Sequence, residues 1–186
     1  MKTLILMLYA TFYLVFGSFG QKYFTKIGKI NFDATSSSSP EKIEGVNKTV
    51  TCVLDSKTGN IQFAVLMKGF EFEKALMEEH FNENYMESDK FPKAEFKGII
   101  ENTDKVDCTK DGVYPAIVKG KITMHGETKD IEAEGKLMIQ NGKVNVNAEF
   151  KVLLADFKIS IPGLVADKIS KIAKVSVACS LEPLKG

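Results

Sequence analysis

Few residues in this chain could do chemistry. It holds 2 histidines and 3 cysteines among 186 residues, and all 25 of its basic residues are lysine. His80 stands beside Glu78, Glu79 and Glu83, side-chain types that hold divalent metals, but an HExxH spacing is absent. One histidine among acids reads as a solvated helix face, so no metal site is expected. His125 precedes Gly126 and reads first as a turn residue in an unusual backbone conformation, and second as a polar contact at the edge of a site. Cys52, Cys108 and Cys179 lie far from any CxxC spacing, which argues against zinc or redox catalysis and for small apolar fillers. Asn47-Lys48-Thr49 matches a glycosylation acceptor and reads as a chance match. No nucleophile–base pair is visible. The expectation is a non-enzyme without cofactor.

The charge balance narrows the partners. With 25 basic and 24 acidic residues and no arginine, the chain lacks the basic patch that phosphate contacts need, and it lacks the side chain that most often reads bases. Nucleic acid is therefore excluded as a partner. Hydrophobic residues reach 44%, enough for a folded core, and the length fits one domain. Lys2, an apolar run from Leu4 to Phe16, and small residues at Ser18 and Gly20 form the order of a secretion signal. That run is too short to cross a bilayer. Residues 1–20 are expected to be a signal peptide, cleaved before Gln21, and residues 21–186 the mature domain. Removing the signal takes away one lysine and no acid. A periplasmic or secreted protein follows, in a compartment that permits a disulfide, although an odd number of cysteines leaves at least one thiol over.

A period of two dominates the mature chain. Val118, Gly120, Ile122 and Met124 alternate with Lys119, Lys121 and Thr123, and His125-Gly126 then marks a turn. Ile131, Ala133, Gly135, Leu137 and Ile139 alternate with mostly charged neighbours up to Asn141-Gly142, the strongest short hairpin signal. Val144, Val146, Ala148, Phe150 and Val152 continue the pattern. The same sorting appears at Ala94, Phe96, Gly98 and Ile100, and at Ile61, Phe63, Val65 and Met67. It recurs at Val50, Cys52 and Leu54, at Ile30 and Phe32, at Phe157, Ile159 and Ile161, and at Val175, Val177, Cys179 and Leu181. One segment differs. Over residues 73–87, Met77, Phe81 and Tyr85 recur every fourth position, which predicts an amphipathic helix. A weaker helical turn is expected over residues 164–172, and a flexible Ser-rich loop over residues 35–40.

About eight long strands with one polar face close most economically as a barrel with charges outside. The fold expected is mainly β: an elongated antiparallel eight-stranded barrel with one amphipathic helix. Its inward face carries no Asp, Glu, Lys or His, and it mixes glycine and alanine with phenylalanine. Such a bore either leaves room for one small ligand or packs shut. The residues themselves leave both outcomes open.

Four segments, in order along most of the mature chain, resemble the YceI-like family. Gly59-Asn60-Ile61-Gln62-Phe63 fits its G-x-I-x-F, and Phe91-Pro92-Lys93-Ala94-Glu95-Phe96 resembles its F-P-x-A-x-F. The stretch from Lys121 to Lys129 (KITMHGETK) resembles its L-T-x-H-G-x-T-K hairpin, the most specific of the four. Asp156-Phe157-Lys158-Ile159 is similar to its D-F-x-I. The resemblance implies a lipocalin-like barrel, exported and usually periplasmic, that holds an isoprenoid or other long-chain lipid without enzymatic activity. Cavity-lining candidates are then Phe63, Val65, Phe96, Gly98, Ile100, Val118, Ile122, Met124, Leu137, Val146, Ala148, Phe150, Phe157 and Ile159. Transient contact with a membrane is compatible with such a role. The rival is a non-catalytic interaction scaffold with a filled core. Cys52 and the polar segment 102–111 depart from the family pattern.

Overall fold

The structure, a computed structural model, describes residues 21–184. The expected signal peptide lies outside the described residues. Nine strands form among the described residues: β1 (Lys22–Thr35), β2 (Glu44–Asp55), β3 (Asn60–Leu66), β4 (Phe70–Glu71), β5 (Lys93–Ile100), β6 (Gly112–Met124), β7 (Glu127–Gln140), β8 (Lys143–Leu153) and β9 (Ile169–Pro183). Every pairing is antiparallel, and the sheet order β1-β9-β8-β7-β6-β5-β3-β2 is closed by a β1–β2 pairing. Eight strands thus make the barrel, and the two-residue β4 adds to the rim of β2.

The hairpins follow from local chemistry. A two-residue type I′ turn, whose twist matches that of right-twisted strands, needs positive φ at both central positions. His125-Gly126 has φ values of 52° and 78°, and Asn141-Gly142 has 51° and 74°. The alternation of β6, β7 and β8 is therefore held in one register from Gly112↔Ile139 to Glu134↔Glu149. Outside, cross-strand pairs such as Lys121–Asp130 at 2.7 Å are exposed to water and add little stability.

The helix is shorter than its periodicity predicts. α1 covers Ala75–His80, and a π-helical turn follows over Phe81–Tyr85. The physical reason lies in the spacing of four. An α-helix turns about 100° per residue, so every fourth residue drifts by about 40°. The wider π turn takes up that drift and keeps Met77, Phe81 and Tyr85 on one side. Asn82 fastens the segment's end: its carboxamide accepts the Ser88 hydroxyl at 2.7 Å and donates to the Glu78 carbonyl at 3.0 Å.

Two further expectations are corrected. Phe157, Ile159 and Ile161 do not form a strand. Leu154–Phe157 is a 3-10 turn, Lys158 takes a left-handed conformation (φ 56°), and the chain then runs irregularly. β7 and β8 stop pairing beyond Glu134↔Glu149, while β8 stays with β9 as far as Leu153↔Ile172. That parting opens a seam toward the β6–β7 hairpin, and the irregular segment fills it with buried Phe157 and Ile159. Residues 164–172 are not one helical turn either. A 3-10 turn covers Gly163–Val165, and β9 has begun by Ile169. The Ser-rich loop, expected to be flexible, is tied across to that turn: the Ser38 hydroxyl donates to the Asp167 carbonyl at 2.6 Å, and the Ser36 N–H to the Lys168 carbonyl at 3.0 Å.

Candidate functional site

The inward side chains do two different things along the barrel axis. At the end where Lys22, Asp55 and Pro183 meet, the bore is solid. Leu54, Ile61, Val144 and Leu181 expose at most 1% of their surface, and Tyr23, Ile100, Leu137 and Ile139 pack among them. The polar segment 102–111 caps this end, with Val106 and Cys108 packed on the core and the Tyr23 hydroxyl donating to the Cys108 carbonyl at 3.5 Å.

The waist is closed by rings over glycines. Gly98 faces Gly120 across β5 and β6. A methyl group built on Gly98 would stand 2.5 Å from the tip of the Phe96 ring, and one on Gly120 would stand 2.7 Å from it. Phe96 therefore lies across both positions, and Phe63 packs against it with ring centroids 6.1 Å apart. The small residues here make room for a neighbouring ring.

The opposite end is hollow. A cavity of about 510 Å³ runs between the ends of β1, β6, β8 and β9 and the face of α1. Val65, Ala94, Ile122, Met124, Phe150 and Ala173 line its barrel wall, and Met77, Phe81 and Tyr85 line its roof. Four phenylalanines hold the roof to the wall. Phe32 stacks on Phe81 at 5.4 Å and 17°, and Phe70 and Phe72 meet Phe32 edge-on at 5.5 and 5.7 Å. Rings in edge and offset contact add about 0.5–1.5 kcal/mol per pair beyond their burial. Tyr85 presents its ring here, and burial pushes its hydroxyl above the ordinary phenol range, so it stays neutral.

The polar side chains along the lining are Glu41, Lys74, His80 and Lys168. Glu41 and Lys74 pair with each other, and that pairing raises the lysine above its ordinary value. Both belong to the rim. Leu76, 60% exposed, and Leu164, 92% exposed, add apolar side chains to the same end. His125 is placed by the hairpin turn at the filled seam. Its Nδ1 lies 2.8 Å from the Phe157 carbonyl and its Nε2 lies 3.0 Å from Glu87 Oε2, and Phe91 packs edge-on against its ring at 4.7 Å. It is both a turn residue and a clasp between hairpin, seam segment and helix end.

Of the candidates chosen from sequence, Val65, Ile122, Met124, Phe150 and Ile159 line the cavity. The structure does not bring Phe63, Phe96, Gly98, Ile100, Val118, Leu137, Val146, Ala148 or Phe157 to its wall. Ile100, Leu137, Val146 and Phe157 are buried core, and Phe63, Phe96 and Val118 pack against that core. Sequence reasoning missed Phe32, Phe70, Phe72 and the residues of the helix as wall. The helix's fourfold apolar spacing was the available signal. Among the described residues no cluster of His, Cys, Asp and Glu could hold a metal ion. Asn47, the glycosylation match, exposes none of its surface; its side chain donates to the Leu66 carbonyl at 2.9 Å and accepts the Thr49 N–H at 2.9 Å. It serves as a structural bridge.

No curated protein matches this sequence closely enough to be counted. Solved structures do match in fold. A polyisoprenoid-binding domain from Saccharophagus degradans, implicated in plant cell wall breakdown, superposes with a TM-score of 0.76 at 11% identity, over 89% of this chain and 99% of that one. Burkholderia cenocepacia BcnA gives 0.65 at 12%, over 83% and 95%. The Campylobacter jejuni YCEI protein gives 0.58 at 16%, over 78% and 87%. The family model for the YceI-like domain matches residues 23–181, from Tyr23 at the start of β1 to Leu181 within β9, and the chain belongs to the YceI-like family.

Proposed function

We propose that the protein is a non-catalytic carrier that holds an isoprenoid or similar long-chain lipid in the hollow end of its barrel. One observation carries this reading: a cavity of about 510 Å³ whose walls are apolar and whose few charged side chains sit at the rim. Its volume falls within the roughly 300–1,000 Å³ of small-molecule sites. Each CH₂ buried there contributes about 0.8 kcal/mol, so a long chain binds with few polar contacts. The tail would lie against Phe32, Ile122, Met124, Phe150 and Phe81, and a polar head would stay beside His80, Lys168 and the Glu41–Lys74 pair. The solved polyisoprenoid-binding domain, with the same fold, supports an isoprenoid as the first candidate. Export to the periplasm or the medium, after loss of residues 1–20, belongs to the same reading and is supported by the N-terminal pattern. The exposed Leu76 and Leu164 beside the opening suit brief contact with a membrane during loading or delivery.

The test is native mass spectrometry of the protein purified from its own host, followed by solvent extraction. One lipid per chain, released by the solvent, is expected. A protein that is consistently empty, and that takes up no long-chain lipid from vesicles, would favour the filled scaffold instead.

A further inference from the structure

The cavity wall is missing one strand. β6 contributes Ile122 and Met124 and β8 contributes Phe150 and Val152, but no residue of β7 reaches the lining. Between β6 and β8 the wall is completed by Leu154 and Ile159, which belong to the irregular segment after β8. The cause is the parting of the strands. Past Glu134↔Glu149, residues 127–133 of β7 and 150–153 of β8 have no ladder between them. Residues 154–161 stand in that gap, and they are held differently from a strand. Among the described residues their backbone hydrogen bonds are internal: the Lys158 N–H donates to the Ala155 carbonyl and the Ile159 N–H to the Leu154 carbonyl, both at 3.1 Å. Two polar bonds tie the segment to the barrel, and both come from the β6–β7 hairpin. His125 Nδ1 lies 2.8 Å from the Phe157 carbonyl, and Lys158 pairs with Glu127 at 2.5 Å. Backbone strain gathers at these tethers. Among the described residues four non-glycine positions have positive φ, and three of them meet here: Glu87 (44°), which holds the His125 ring, His125 (52°) and Lys158 (56°). Strain of this kind collects at clamps and switching segments.

We propose that residues 154–161 are a side gate through which the lipid tail enters the hollow end, and that His125 is its latch. The proposal rests on the carrier reading and adds the route. A long chain threaded end-on through the rim would pass the Glu41–Lys74 pair, His80 and Lys168. A chain laid side-on in the seam meets Phe150, Leu154, Phe157 and Ile159, so its apolar surface stays covered throughout. Opening moves one short segment and leaves the ladders of β6–β7 and β8–β9 intact. It also bares the unpaired edges of β7 and β8 and releases the Phe157 carbonyl from His125. Those costs draw the segment back once the tail is inside. His125 touches no lipid in this scheme. It is a positioning residue that sets how often the wall opens.

The experiment is stopped-flow uptake of dansyl-labelled undecanoic acid by the full chain, and its release into phosphatidylcholine vesicles. His125→Ala should speed uptake and release together by roughly tenfold, so that their ratio, the affinity, stays close to wild type. Glu127→Gln, which loses only the exposed pair with Lys158, should speed both by roughly threefold. Leu181→Ala, a larger loss of stability at the solid end, should leave both rates within roughly twofold of wild type, which separates a latch from general loosening. Rates that neither hairpin variant changes, or that Leu181→Ala raises as much as His125→Ala, would overturn the gate and leave the carrier standing. No uptake by the wild type would overturn the carrier reading and the gate with it.

Discussion

Leu54, Val144 and Leu181 at one end of the barrel have almost no exposed surface, whereas Phe32, Ile122, Met124 and Phe150 at the other are partly buried around an open volume. Both ends are built from the same eight strands with the same alternation. The difference lies in what meets across the bore. At the solid end, aliphatic side chains from opposite strands interdigitate and a polar loop caps them. At the waist, aromatic rings lie over glycines. At the hollow end, β7 and β8 part, the opposing side chains do not reach one another, and a helix roofs the gap. Alternation sets which face is inside; the separation of the walls sets whether the inside is full.

This contrast can be broken, and the largest effect is at the solid end. Leu181→Ala or Leu54→Ala should cost about 2–5 kcal/mol, because the site cannot collapse around the missing atoms. Ile122→Ala, on the cavity wall, should cost less than half as much in the same urea titration. Equal losses would mean that the hollow end is packed as tightly as the other.

Enlarging side chains reverses the order of sensitivity. Ala116→Trp in the buried wall should destabilise by about 1–3 kcal/mol or prevent folding, since a dense core has no room for it. Ala173→Trp should fold with a stability within about 1 kcal/mol of wild type and lose lipid retention roughly tenfold, which corresponds to about 1.4 kcal/mol of binding. A well-folded Ala173→Trp that keeps its lipid would place the ligand elsewhere.

His125→Ala tests the seam between the two regimes. Losing its contacts with the Phe157 carbonyl and Glu87 should cost about 1–2 kcal/mol. Hydrogen exchange should quicken first at the β6–β7 hairpin and residues 154–161. A uniform change across the barrel would deny the clasp.

The smallest effect is at a turn of the solid end. Asp55 accepts the Lys57 and Thr58 N–H groups at 2.9 and 3.1 Å, bonds that hold its carboxyl below the ordinary range. A depressed carboxyl stabilises the fold above its unfolded value and loses that contribution as pH falls through the folded one. Asp55→Asn should therefore be slightly less stable than wild type at neutral pH and equal to it in strong acid. A gap that persists in acid would remove the charge from the explanation.

The strands and hairpins were legible because their causes are local. Asn141-Gly142 and His125-Gly126 fix their turns by themselves, and the face of β6, β7 and β8 follows from counting by two. Phe157 and Ile159 were misassigned to a strand because a seam-filling segment also alternates, and only the parting of β7 from β8 makes it a plug. The cavity wall was only partly legible. Val65, Ile122, Met124, Phe150 and Ile159 were named, but the inward face alone does not say at which height the bore is empty. Gly98 looked like space and proved to be the bed of the Phe96 ring.

The most direct measurement uses a nitroxide-labelled long-chain lipid and methyl NMR signals. Binding in the hollow end predicts paramagnetic broadening at Ile122, Met124 and Ile169, with Leu54, Val144 and Leu181 sharp. Broadening at both ends, or at neither, would contradict the account.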